Sequence, residues 1–224
     1  MGAGFLDRLK APERAAGAAM DEGVSKTIRQ TYALLSISLA VSALAGWAGA
    51  ALHLGGAATA CALVAFVLLI ATMFMSESVW GLAAFAGFAV FEGLSLGPLL
   101  ESVLDGPGGG LVLGQAGGAT AAVFLALSAY CHATKKDFSF LGGFLFVGLV
   151  LAILGGLALA FFPNESASIA LSAGTALLFS GYILYDTSRI VRGSEVNYLR
   201  AAASLYLDVL NLFLSLVRLF ARRS

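Results

Sequence analysis

Charged side chains are scarce in this sequence. Lys, Arg, Asp and Glu make 12% of its 224 residues, against about a quarter in a soluble domain. Apolar residues make 59% and the mean hydropathy is +0.91, which excludes a soluble domain and implies an integral membrane protein with the lipid bilayer as its partner. Net charge is zero, and no basic surface suggests a nucleic acid. Cysteine is nearly absent too. Cys61 and Cys131 each lie inside an apolar run, which suits small buried hydrophobes better than a disulfide or a metal pair. His53 and His132 each stand alone at a span end and read as interfacial side chains, not ligands. No phosphate loop, nucleophile elbow or HExxH occurs, so the chain is not expected to be an enzyme or to hold a resident cofactor. Residues 1–30 have no continuous apolar core of the kind a cleaved signal peptide needs, so the first span is expected to act as the insertion signal.

What is present is a series of apolar runs of the length a bilayer core of about 30 Å demands. They cover about 31–52, 57–75, 79–100, 111–133, 138–161, 167–190 and 201–220. An all-α bundle of seven transmembrane helices (residues 29–224) is expected, behind a polar N-terminal tail over 1–28. With the N-terminus cytoplasmic, that side receives Arg8, Lys10, Arg14, Lys26, Arg29, Lys135, Lys136, Arg189, Arg192 and Arg200, while the opposite loops, around 53–56, 101–110 and 162–166, contain no Lys or Arg. Ten against none sets the orientation. Arg218, Arg222 and Arg223 lie on the far side if the seventh segment crosses fully, and on the near side if it enters and returns. Gly93-x-x-x-Gly97 and Gly114-x-x-x-Gly118 fit the small-residue pattern of close helix packing and together suggest a tight monomeric bundle.

Ionisable residues inside such spans are costly, roughly 3 kcal/mol each on insertion scales, and are functional suspects by default. On the seventh segment Ser204, Asp208, Asn211, Ser215, Arg218 and Arg222 recur at intervals of three and four and share one helical face. On the sixth, Ser168, Ser172, Thr175, Tyr182, Asp186 and Arg189 do the same. Folding the chain into a hairpin about Asn197 leaves Asp186 and Asp208 each eleven residues from the bend, at similar depth. A polar seam with two facing carboxyls is the functional reading. The bland one pairs Asp186 with Arg189, and Asp208 with Asn211 or a backbone group, so that the seam merely fixes helix register. Glu92, with Ser95 on its face, is expected to point inward from the middle of the third span. Glu101, Asp105 and Glu165 on the opposite loops would make an acidic mouth, or simply be solvated.

The segments SAYCHATKKDFSFLGGFL (128–145), FEGLSLGPLL (91–100) and SGYILYDTSRIVRGSEVNYLRAAASLYLDVLNLFLSLVRLF (180–220) resemble the transmembrane Bax-inhibitor-motif family, and especially its bacterial YccA-like branch. The resemblance implies a bundle of seven helices with the last one central, in a bacterial inner membrane. It also implies two functions. The YccA-like branch binds and restrains the membrane-embedded ATP-dependent protease FtsH. Another branch leaks calcium in a pH-dependent way through an aspartate pair that shares a proton, and Asp186 and Asp208 match that pair. Leak-type members can latch the pair with an arginine on the second helix, whereas residues 57–75 here contain no Lys or Arg. Two carboxyls are too few ligands for tight calcium binding, so any site at Asp186 and Asp208 is expected to be weak and transient.

Overall fold

A computed structural model describes residues 3–222, with side chains described at Met20 and from Glu22 to Arg222. Arg8, Lys10 and Arg14 of the basic tail, and Arg223, fall outside the described side chains. The helices are α1 (Ala3–Ala51), α2 (Ala58–Phe74), α3 (Val79–Ser95), α4 (Gly97–Leu104), α5 (Gly109–Thr134), α6 (Gly142–Phe161), α7 (Glu165–Val191) and α8 (Tyr198–Ala221). There is no strand among the described residues. Six segments are long and apolar enough to cross a membrane: Glu22–Ala51, Val79–Leu104, Gly109–Thr134, Ser139–Phe161, Glu165–Val191 and Tyr198–Ala221. The 17 residues of α2 rise about 26 Å and make the seventh crossing.

The third crossing is jointed, which the uniform apolar run over 79–100 did not suggest. It breaks at Leu96, and Pro98 stands in the first turn of α4. Proline has no N–H to return to the preceding turn, so the helix restarts there instead of continuing. The tail likewise shows no break from the first span: α1 is one helix from Ala3 onward.

Helix α8 is the axis of the bundle. Half of its apolar window is buried, against 6% for the segment containing α6, and it packs against α1, α2, α3, α5 and α7. Its Ala201, Ala202 and Ala203 are buried together with Leu205 and Tyr206; the small side chains let neighbouring backbones approach. The ring of Tyr206 meets Phe88 edge-on at 5.0 Å and Phe85 at 6.1 Å. Helix α6 packs chiefly against α7 and turns Phe144, Phe146, Leu151 and Ile153 outward, as a lipid-facing helix does.

The two glycine motifs have separate fates. A Cβ on Gly97 would lie 2.6 Å from the carbonyl carbon of Gly49, and one on Gly49 would lie 2.8 Å from the carbonyl oxygen of Leu94. This motif therefore lets α1 and the α3–α4 joint touch backbone to backbone. Gly114 and Gly118 have nothing within 4 Å of a built Cβ, so the second motif closes no helix pair inside this chain.

The loops sort into two ends. One gathers the α2–α3 turn, the α5–α6 connection and the α7–α8 bend. There Asn197 caps α8 by accepting from Leu199 N and Arg200 N and donates to Ser76 O at 3.1 Å. Arg200 Nε donates to Ser76 Oγ at 2.8 Å, and Arg192 pairs with Asp137. Gly193, at φ +72°, turns the chain out of α7 in the left-handed region that glycine adopts without strain. At the other end His53 is not solitary: its Nδ1 meets Glu101 Oε1 at 2.5 Å. Arg222 also lies there, donating to Ser168 Oγ at 2.9 Å beside the start of α7. Helix α8 thus runs the full height of α7. Arg218 and Arg222 share an end with the loops that carry no other Lys or Arg.

Candidate functional site

The α7–α8 bend sets the site. Antiparallel packing of the two helices brings the carboxyls of Asp186 and Asp208 close enough to act directly on each other. Asp208 is 5% exposed, and its Oδ2 has no hydrogen-bond partner. The walls around the pair are apolar, formed by Phe179, Ile183, Val209 and Leu212. Tyr182 lies close enough to feel both carboxylates.

Among the described residues one cation pairs with the site, and it sits on the Asp186 side. Arg189 Nη1 is 3.6 Å from Asp186 Oδ1, while its Nη2 lies 3.4 Å from Glu195 Oε2. The guanidinium also covers the ring of Tyr185 at 5.6 Å. The i, i+3 pairing therefore coexists with the facing carboxyls, and Arg189 is shared between two acids. Two unpaired carboxylates this close in an apolar setting cannot both be ionised cheaply. One shared proton removes the repulsion and supplies the donor that two carboxylates lack.

The rest of the seam is partly joined. Thr175 Oγ1 and Ser215 Oγ meet across α7 and α8 at 2.9 Å, and Ser215 also donates to Asn211 O. Asn211 donates to Leu207 O at 2.7 Å within its own helix. Ser172 returns its hydroxyl to Ser168 O at 2.8 Å, and Ser204 is half-buried on α8. Glu92 stands apart from the seam: half-buried on α3, it has Tyr206 as its electrostatic neighbour, not either aspartate. Glu195 was missed as a contributor to the site. Its position in the polar turn, six residues after Arg189, was the available signal.

No group of three or more His, Cys, Asp or Glu that could hold a metal occurs among the described residues. The pair alone offers two carboxylates, fewer ligands than a tightly bound calcium ion takes.

The sequence profile of the family described as "Inhibitor of apoptosis-promoting Bax1" matches residues 24–224. Among curated relatives, the "Modulator of FtsH protease YccA" of Escherichia coli K12 is 40% identical over 201 residues, covering 88% of this chain and 91% of that protein. The "Inner membrane protein YccA" of Escherichia coli O6:H1 matches with the same identity and coverage. An "Uncharacterized membrane protein" of Vibrio cholerae is 43% identical over 198 residues, 86% of this chain and 87% of its own length.

Proposed function

Because this chain belongs to the family of inhibitors of apoptosis-promoting Bax1, we propose that it modulates the membrane-embedded ATP-dependent protease FtsH in a bacterial inner membrane. The observation that carries this reading is the 40% identity, over nearly the whole length of both chains, to a relative named for that activity. Its physical counterpart is a bundle that spans the membrane and an N-terminal helix that continues beyond the apolar stretch starting at Glu22. With a cytoplasmic N-terminus, the orientation that the basic residues favour, that extension would offer a handle to a protease working on that side. The test is copurification of FtsH with the tagged full-length chain from native membranes, together with the rate at which a known FtsH substrate disappears when the chain is overproduced. Slower substrate loss with a copurifying protease supports the reading; neither effect would refute it.

A second reading rests on a separate observation, the buried Asp208 carboxyl opposite Asp186 with one oxygen unsatisfied. A pair that loses a shared proton as pH rises repels itself by about 4 kcal/mol, for unit charges about 4 Å apart at an effective dielectric of about 20. A shift of about 5.5 kcal/mol moves a two-state balance from 1:99 to 99:1, so this repulsion is large enough to loosen the α7–α8 seam. The activity would be a pH-gated leak of calcium or another cation. Without a basic residue on α2, the latch would be Arg189, which already contacts Asp186. Calcium flux into liposomes holding the purified chain, measured across pH, tests this reading.

A further inference from the structure

The last turns of α8 carry two guanidiniums, Arg218 and Arg222, spaced i, i+4 on one face. Both line a cavity of about 280 Å³ walled by Leu99, Val103, Val112 and Val217, with Ser102 at its edge. Arg222 also borders a second cavity, of about 350 Å³, beside Pro163 and Glu165. Among the described residues Arg222 has a single hydrogen-bond partner, Ser168 Oγ at 2.9 Å. Arg218 has no hydrogen bond or ion pair among the described residues. Glu165 lines the second cavity without pairing with Arg222.

Their position makes this unusual. The arginines sit at the end of the bundle whose loops hold no other Lys or Arg, the end that basic residues ordinarily avoid or that needs none for orientation. They also stand where the apolar length of α8 stops, about 6 Å apart along its axis, where a span of this length would meet the headgroup region. A guanidinium binds phosphate through two parallel N–H bonds. The cavity wall beneath them is largely aliphatic, which suits the glycerol and upper acyl carbons of a lipid better than a free hydrated anion.

We propose that Arg218 and Arg222 hold the headgroup phosphate of an anionic phospholipid of the leaflet at this end, with the first acyl carbons against Val103 and Val217. Such a site joins α4, α5 and α8 through the lipid, at the end of the bundle opposite the aspartate pair's hairpin bend. It is independent of either functional reading above.

The test is native mass spectrometry of the full-length chain in detergent, titrated with palmitoyl-oleoyl phosphatidylglycerol, with the matching phosphatidylcholine, and with inorganic phosphate. The expected result is a first phosphatidylglycerol adduct weakened by about tenfold or more in the R218Q/R222Q double variant, the loss of at least one charge-assisted bond. A K135Q/K136Q variant, with two exposed basic residues removed at the opposite end, keeps the wild-type affinity. Arg218→Lys falls between, since an ammonium lacks the planar fork. If the double variant does not fold, Arg218→Gln alone carries the test, because that side chain makes no polar bond among the described residues. Equal phosphatidylglycerol binding by wild type and R218Q overturns the proposal. So does equally tight phosphatidylcholine, or displacement of the lipid by inorganic phosphate, which would make this a free-anion site.

Discussion

Tyr206 and Ser42 meet oxygen to oxygen at 2.6 Å, and Ser42 Oγ donates to the carbonyl of Ala89 at 2.6 Å. A serine has one hydroxyl proton, so Ser42 spends it on Ala89 and Tyr206 is the donor to Ser42. This relay ties α8 to α1 and α1 to α3 without any charge. Tyr206→Phe deletes one hydrogen bond and leaves Ser42 satisfied, so a loss of about 1 kcal/mol is expected. Tyr206→Ala removes a fully buried ring set against Phe85 and Phe88, and about 3 kcal/mol or more is expected. Reversible unfolding in mixed micelles measures both.

The aspartate pair gives a signed pH dependence. Around it stand Arg189, Glu195, Tyr182 and Tyr185, on α7 and in the bend. On the leak reading, raising the pH would remove the shared proton and loosen the seam, and calcium flux is expected to rise with pH. Asp186→Asn and Asp208→Asn each leave an amide that cannot release a proton, and each is expected to abolish the pH dependence while the protein still inserts. A flux from the double variant that still rises with pH would rule out this gate and turn attention to Glu92.

Orientation is testable by labelling. In a background without Cys61 and Cys131, a cysteine at Ser25 is expected to resist membrane-impermeant maleimide in intact cells, and one at Asp105 to react. Gly108 is the poorer loop position, because its φ of +68° strains any residue with a Cβ. The reverse labelling pattern would invert the topology.

The glycines separate by context. Gly97→Leu forces a side chain against the backbone of Gly49 and is expected to lower the thermal midpoint clearly in detergent. Gly118→Leu enters open space and is expected to leave the midpoint almost unchanged. Equal effects would contradict the packing of α1 on the α3–α4 joint.

For the protease reading, deleting residues 2–22 is expected to slow turnover of the chain by FtsH, with the bundle still inserted. Turnover at the wild-type rate would remove the N-terminal extension from the mechanism.

The seven crossings were legible because apolar length is a local property, and the Asp186–Asp208 contact was legible because a hairpin maps sequence distance onto depth. Spacing alone could not reveal who pairs with whom across non-adjacent helices. Asn211 shares a face with Asp208, yet its amide turns to Leu207 O. His53 looked isolated because Glu101 is 48 residues away. Two glycine motifs of the same spacing were indistinguishable until the neighbours of each were known. The family resemblance anticipated the central last helix, but its neighbours Ser42, Phe85 and Phe88 carry no mark of that role in the one-dimensional pattern.

The helix at the axis of the bundle is also the one translated after all the others. Until Tyr198–Ala221 emerges, α1 can pack on α3 and α5 on α7, but the helix that touches all four is missing. During that interval Asp186 lacks the facing carboxyl of Asp208, and Phe85 and Phe88 lack the ring of Tyr206. The α8 core can therefore close only once this last of the described helices is in place. A chain arrested before its last thirty or so residues would be inserted but open, presenting polar groups of the kind that mark a membrane protein as unfinished.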